Sequence, residues 1–167
     1  HVATLLGDGK VLVTGGAGDS AEVYDPSTGK WSQVGNLTQT LNQPGGAALS
    51  DGRVLIAGGF GRQGSVATAE IYDPVTGSWT LVEPLPRVRV QPSATVLESG
   101  MVLFAGGNRS SLTTLYDSST GTWIFSSKMV AARQNHTATL LKDGRVLIVG
   151  GRNRVSKILG SAELYSP

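Results

Sequence analysis

The sequence DGRVLIAGG at residues 51–59 recurs along the chain, and this recurrence indicates the fold. Copies stand at residues 8–16 (DGKVLVTGG), 99–107 (SGMVLFAGG) and 143–151 (DGRVLIVGG). The glycine pairs that close the four copies are Gly15 and Gly16, Gly58 and Gly59, Gly106 and Gly107, and Gly150 and Gly151, at steps of 43, 48 and 44 residues. A regular step of this size predicts a repeat architecture, in which each copy is one structural unit.

Each copy begins with a turn residue and a glycine, followed by a run of apolar residues. The dipeptides Asp8-Gly9, Asp51-Gly52, Ser99-Gly100 and Asp143-Gly144 predict tight hairpins with two-residue loops. The apolar run that follows is continuous rather than alternating, which is typical of a strand covered on both faces. We therefore expect the sheet of one copy to stack on the sheets of its neighbours.

Aromatic residues recur with the same period after each glycine pair. Tyrosine stands at Tyr24, Tyr72, Tyr116 and Tyr165, and tryptophan follows at Trp31, Trp79 and Trp123. Each copy thus predicts four antiparallel strands, a to d, and no segment predicts a helix. The last copy stops before its tryptophan and lacks strand d. The fold class predicted is an all-β propeller of about four blades, with the periodic aromatics packed between blades.

The motifs also resemble those of the kelch-repeat propeller family. The shared features are the glycine pair that ends strand b, Tyr-Asp-Pro at the end of strand c, the tryptophan of strand d, and Arg133-x-x-His136 before strand a. Two departures are visible: Pro44 and Pro92 stand where His136 stands, and the third copy has Tyr116 followed by Asp-Ser. The resemblance covers essentially the whole chain, and implies a module that captures peptides or proteins with arginines and polar residues on its loops.

The organisation predicted is one propeller segment over residues 1–167. The blades span approximately residues 1–42, 43–90, 91–134 and 135–167. The resemblance implies six or seven blades more often than four, and three explanations stay open. The chain is a segment of a longer propeller, which we favour, or two chains associate to close one ring, or a strand outside this sequence completes a ring of four blades.

Composition excludes several function classes. The 167 residues carry a net charge of +2 at pH 7, which predicts no general affinity for nucleic acid. No apolar run approaches the roughly 20 residues of a spanning helix, so we expect no membrane insertion. The chain contains no cysteine, which excludes disulfides, thiolate metal sites and cysteine nucleophiles.

No catalytic residue, metal ligand or cofactor site is predicted. Residues 59–64 read G-x-G-x-x-G, but the strand expected at 70–72 leaves no room for the helix that a dinucleotide site requires. His1 and His136 share one repeat position, which favours packed, hydrogen-bonded histidines over a metal site. Copper oxidases similar to galactose oxidase need a cysteine crosslinked to a tyrosine. A carbohydrate-active oxidase-like protein is therefore only the second alternative.

The charged residues divide between the two sides of the predicted propeller. The a–b and c–d turns carry acids, mostly at positions where aspartate is expected for turn formation. The b–c and d–a segments carry most of the cations. Our leading hypothesis is a non-catalytic module whose basic side binds an acidic protein segment or an anionic glycan. The candidate contacts are Arg62, Arg87, Arg89, Arg109, Arg133, Arg152 and Arg154.

Three of the five asparagines lie in glycosylation sequons: Asn36, Asn108 and Asn135. This excess favours a secreted protein and gives the first alternative, a glycosylated extracellular structural or assembly protein.

Overall fold

The computed structural model describes residues 1–16, 18–153, 155 and 157–167, and the candidate contact Arg154 lies outside these ranges. The first blade comprises β1 (Val2–Leu5), β2 (Val11–Thr14), β3 (Ala21–Asp25) and β4 (Lys30–Gln33). The second contains β5 (Gly45–Ala48), β6 (Val54–Ala57), the hairpin of β7 (Phe60–Gly61) and β8 (Gly64–Ser65), β9 (Ala69–Asp73) and β10 (Ser78–Val82). The hairpin pairs only with itself among the described strands.

The third blade comprises β11 (Ser93–Val96), β12 (Val102–Ala105), β13 (Thr113–Asp117) and β14 (Thr122–Phe125). The fourth has three strands, β15 (Thr137–Leu140), β16 (Val146–Val149) and β17 (Ala162–Tyr165). All strand pairs are antiparallel, and the described residues contain no helix. The predicted all-β propeller of four blades, the last without strand d, is confirmed. Within the described ranges, no helix long and apolar enough to cross a membrane is found.

The blades follow one another through contacts between their first strands, β1 with β5, β5 with β11, and β11 with β15. The core lies between the sheets. Leu12 packs toward Ile56 in the first interface, Leu55 toward Phe104 in the second, and Leu103 toward Ile148 in the third. Strands β6 and β12 are buried along their whole length, as predicted. The corresponding β2 and β16 are buried only in part, because each described end blade has one neighbouring blade.

The a–b turns differ from the predicted two-residue loops. The Leu6 amide donates to the Lys10 carbonyl oxygen at 2.8 Å, so three residues form the loop. Its last residue, Gly9, has φ of 85°, which is typical of a turn closed by a glycine bulge. The side chain of Asp8 accepts a hydrogen bond from the Lys10 amide at 3.1 Å. The same loop recurs before β6 and β16, so the prediction of a tight hairpin was right and its length was wrong.

The glycine pair at the end of strand b lies between two neighbouring d–a segments. A Cβ added to Gly58 would lie 2.5 Å from the carbonyl oxygen of Arg89, in the segment that follows its own blade. A Cβ added to Gly59 would lie 2.8 Å from the carbonyl oxygen of Asn42, in the segment before it. Both glycines also have positive φ, at 74° and 108°. The glycine pairs are therefore needed for the close approach of successive blades.

The G-x-G-x-x-G sequence forms no dinucleotide site. Residues Phe60–Gly61 and Gly64–Ser65 pair as the short antiparallel hairpin β7–β8, and the turn between them holds Arg62. A dinucleotide fingerprint would continue into a helix, whereas here the chain returns to β9.

Candidate functional site

One side of the propeller is formed by the b–c and d–a segments, which we call the b–c/d–a face. Backbone hydrogen bonds connect these segments within and between blades. Asn42 pairs with Phe60, Ser110 with Arg133, and Gln134 with Arg152. The loops of this face are therefore held by the same hydrogen-bonding network that packs the blades.

Four predicted contacts are exposed on the b–c/d–a face. Arg62 lies in the turn of the β7–β8 hairpin, Arg87 follows β10, Arg109 follows β12 and Arg152 follows β16. Lys128 and Lys157 are also exposed there, whereas the described segments carry only two acids apart from the strands, Asp19 and Glu83. The exposed charge of this face is therefore predominantly positive.

Two predicted contacts are buried, and for them the prediction of an exposed binding role was wrong. Arg89 and Arg133 are 2% and 1% exposed. The Nη1 atom of Arg89 donates to the carbonyl oxygens of Gly106 and Leu112 at 2.8 and 2.7 Å. Arg133 Nη1 donates in the same way to the next blade, to the Gly150 carbonyl at 2.7 Å. Both arginines connect one blade to the next because their side chains point between the sheets.

On the opposite side, the acids stabilise turns, as the sequence predicts. Asp25, Asp73 and Asp117 each accept a hydrogen bond from the amide two residues later, at 2.8 to 2.9 Å. The three hairpin aspartates form ion pairs with the cations two residues later: Lys10 with Asp8, Arg53 with Asp51, and Arg145 with Asp143, at 2.6 to 2.7 Å. These hydrogen bonds lower the pKa values of the three aspartates. Three cations of this side are thus neutralised locally.

A polar cleft of about 520 Å³ opens on the b–c/d–a face between the first two blades. It is lined by Asp19, Thr38, Gln39, Thr40, Arg62, Gln63 and Val66. The Gln39 side-chain amide donates to Thr68, and the amide and hydroxyl of Thr38 donate to the carboxylate of Glu70. These contacts fix the wall of the cleft. The sequence prediction did not find it, because its residues come from segments of variable length and share no repeat position.

The periodic aromatics pack between blades, as predicted, and also pair within each of the first three blades. Tyr72 and Trp79 are paired across β9 and β10, with ring centroids 5.1 Å apart, and the first and third blades contain the same pair. The indole nitrogen of Trp79 donates to the carbonyl oxygen of Gly35 in the preceding blade at 2.6 Å. Trp31 has no preceding blade among the described residues, and 54% of its surface is exposed.

The two histidines lie in different environments. His136 Nε2 lies 2.9 Å from the Ser93 hydroxyl, and burial, with the nearby Arg133 charge, lowers its pKa to about 4. The prediction of a packed, hydrogen-bonded histidine is confirmed for His136 and wrong for His1, which is exposed. In the described part of the chain, no group of three or more histidine, cysteine, aspartate or glutamate side chains could hold a metal ion.

The sequon asparagines Asn36, Asn108 and Asn135 are all exposed. Asn108 Nδ2 donates to the Val88 carbonyl oxygen at 3.3 Å. The use of these sequons stays a prediction.

Comparison with known proteins agrees with the geometry of the blades. The family model for the Kelch motif matches residues 1–38 and 44–86, which cover the first blade and most of the second. No curated protein matches the chain in a sequence search. Kelch propellers generally serve as protein-binding modules without a catalytic role. The third and fourth blades repeat the glycine pairs and hairpins of the matched blades, and the chain belongs to the kelch-repeat family of β-propellers.

Proposed function

We propose that the chain is a non-catalytic module that binds an acidic protein segment across its b–c/d–a face. The observation that carries this proposal is the asymmetry of the exposed cations. Arg62, Arg87, Arg109 and Arg152 are exposed on one face, whose described segments carry only two acids outside the strands. On the other face, aspartates beside the cations of the hairpin turns neutralise them.

Arginine suits this ligand because its planar guanidinium donates two parallel hydrogen bonds to a carboxylate. A single exposed ion pair contributes only about 0–1 kcal/mol. Selective binding therefore needs several carboxylates that meet several arginines at once. The four arginines come from three successive blades, which favours an extended segment with repeated Asp or Glu over one charged side chain.

The cleft between the first two blades gives such a segment a place to anchor. Arg62 lines the cleft together with the polar residues Gln39, Gln63 and Thr38. Asp19 would repel an anion deep in the cleft. We therefore expect the cleft to receive a neutral polar side chain of the partner, with a neighbouring carboxylate of the partner on Arg62.

The face is well organised for binding before a partner arrives. Its segments are fixed to each other by backbone hydrogen bonds, and the buried Arg89 and Arg133 connect the blades beneath them. Binding to such a face loses little conformational entropy of the loops.

The test uses a fluorescently labelled peptide of alternating Glu, Asp and Ser at low and physiological salt. We expect the triple variant Arg62→Gln, Arg87→Gln, Arg152→Gln to bind at least about 10-fold more weakly, the effect of losing roughly 1.4 kcal/mol. The matched control is Lys10→Gln, Arg53→Gln, Arg145→Gln, which removes the same charge from the opposite face. Equal losses in the two variants would overturn the proposal, as would an absence of binding at low salt.

The same titration with a sulfated polysaccharide distinguishes the other anionic ligand. Tighter binding of the polysaccharide than of the peptide, lost in the same triple variant, would assign the face to an anionic glycan instead. The alternative of a glycosylated assembly protein would be supported by mass spectrometry of the secreted protein that detects hexose on Asn36 or Asn135.

A further inference from the structure

Two repeat positions meet in the interface between blades three and four, and equivalent positions occur in the other two interfaces. The first lies in the d–a segment and is occupied by Leu41, Arg89 and Arg133 in successive interfaces. The second lies in strand c of the following blade and is occupied by Glu70, Thr114 and Glu163, which pair in register with Ile56, Phe104 and Ile148. The interface between blades three and four therefore contains both charges, and each of the other two contains one.

In the interface between blades three and four, the arginine charge is balanced by protein groups. Arg133 Nη2 forms an ion pair with Glu163 at 2.7 Å, and the two side chains are 1% and 15% exposed. The carboxylate also accepts hydrogen bonds from the amides of Val130 and Ala131, at 2.6 and 3.4 Å.

In the interface between blades two and three, the arginine charge has no such partner. Arg89 is 2% exposed, and its Nη1 atom binds two carbonyl oxygens. Its Nε and Nη2 atoms are buried and make no hydrogen bond to any described atom, and the same is true of Thr114 Oγ1. In Arg133, only Nε is likewise buried without a hydrogen bond to a described atom. Burial without a carboxylate lowers the pKa of Arg89 to about 10.

The sequence explains why no carboxylate of the chain takes this place. Thr114 is shorter than the glutamate that occupies the same position in the next blade. The residue equivalent to Val130, which donates its amide to Glu163, is Pro86. Proline has no amide hydrogen. The Glu163 carboxylate and one of its two backbone donors thus have no equivalent in this interface, which instead holds an unpaired guanidinium edge and an unpaired hydroxyl.

We propose that a small inorganic anion of the size of chloride binds between Arg89 Nη2 and Thr114 Oγ1, in the position that the Glu163 carboxylate takes in the next interface. A buried cation is stable only when it is paired and hydrogen-bonded, and the anion supplies both conditions. The site is internal to the propeller and is independent of the peptide-binding function proposed above.

Thermal unfolding of the 167-residue chain tests the proposal, with chloride replaced by gluconate at constant ionic strength. Gluconate is too large for the site. For a Kd of about 10 mM, raising chloride from about 10 to about 300 mM is expected to raise Tm by about 3–6 °C. A Tm that does not depend on which of the two anions is present would overturn the proposal.

Three variants locate the effect. Arg89→Leu places the residue of the first interface at this position, and Thr114→Glu supplies a carboxylate of the chain. Both are expected to lose the chloride dependence, whereas Arg145→Leu on the opposite face is expected to keep it. Retention of the dependence in Arg89→Leu would contradict the site.

A crystal of the unmodified protein grown in bromide tests the anion site directly, whether or not the variants fold. We expect an anomalous peak within about 3.5 Å of Arg89 Nη2, the reach of a hydrogen bond to an anion larger than oxygen. An ordered water molecule at that point, without anomalous signal, would overturn the proposal.

Discussion

The interfaces on the two sides of the third blade use the same backbone contacts and differ in how they balance a buried charge. The amide of Gly59 donates to the Arg89 carbonyl oxygen at 2.6 Å, and the amide of Gly107 donates to that of Arg133 at 3.0 Å. Only Arg133 meets a carboxylate, Glu163. The glycine–carbonyl contacts therefore determine how blades pack, and the charged pair determines how stable one particular interface is.

The interface between blades one and two supports this separation between backbone packing and charge pairing. Gly16 donates to the Leu41 carbonyl oxygen at 3.1 Å, so the same contact forms with no arginine at all. Glu70 remains there without a cation, and burial raises its pKa.

The largest effect is expected from Glu163→Gln, which breaks the buried ion pair. The variant leaves the Arg133 charge buried without a counter-ion, and we expect a loss of about 3 kcal/mol in the free energy of unfolding. Chemical denaturation followed by circular dichroism measures it. Glu22→Gln is the matched control, since Glu22 has the same repeat position and is exposed. Similar losses in both variants would show that the pair does not stabilise the interface.

The histidine of the third interface is expected to make stability depend on pH. The pKa of His136 falls from 6.5 to about 4 on folding, so the unfolded chain binds the proton first as pH decreases. Stability is therefore full above the unfolded pKa and is lost between about pH 6.5 and pH 4. Because the side chain is only half-buried, we expect a loss of about 2 kcal/mol.

The chain supplies the control for this prediction, since Pro44 and Pro92 occupy the same position in the other two interfaces. We expect His136→Pro to remove this part of the pH dependence, measured by denaturation at pH 7 and pH 4.5. An unchanged pH profile would contradict the assignment.

A smaller effect on the free energy of unfolding is expected from substitution of Trp123, which forms a hydrogen bond from the third blade to the second. Trp123 Nε1 donates to the carbonyl oxygen of Glu83 at 2.7 Å. Trp123→Phe loses this hydrogen bond and part of the packing, which we expect to cost about 1.5 kcal/mol. Trp31→Phe should cost less than about 0.5 kcal/mol because Trp31 is exposed. Thermal and chemical unfolding measure both losses. A larger loss in Trp31→Phe than in Trp123→Phe would refute the interpretation.

The smallest effect is expected from Arg89→Leu at low chloride. Replacing a buried charge that has no carboxylate partner by an apolar residue is often neutral or stabilising. We expect a change of no more than about 1 kcal/mol in the free energy of unfolding, with stabilisation the favoured sign. A loss near that of Glu163→Gln would mean that the two interfaces are equivalent.

Much of the fold could be predicted because the residues that build it recur in register. The glycine pairs, tyrosines and tryptophans define the blades, and each proves to contact the same partner in successive blades. The hairpin loops were predicted one residue too short. The sequence signal places the glycine at the end of the loop. It does not show whether strand pairing reaches the residue before the aspartate or ends one residue earlier.

The binding face was predicted less completely. Assigning cations to a face by topology says where the backbone lies but not where a side chain points, and Arg89 and Arg133 point inward. Their spacing of 44 residues matches that of the third and fourth glycine pairs and was the available signal of a structural role. The exposed Arg62, Arg109 and Arg152 have no common register. The hairpin β7–β8 was not predicted because the b–c segments vary in length from copy to copy.

A pair of double-mutant cycles tests the contrast between the two interfaces most directly. One cycle combines Arg133→Leu with Glu163→Gln, and the other combines Arg89→Leu with Thr114→Val, with the free energy of unfolding measured at low chloride. We predict a coupling energy of at least about 1.5 kcal/mol in the first cycle and less than about 0.5 kcal/mol in the second. Equal coupling in the two cycles would contradict the account.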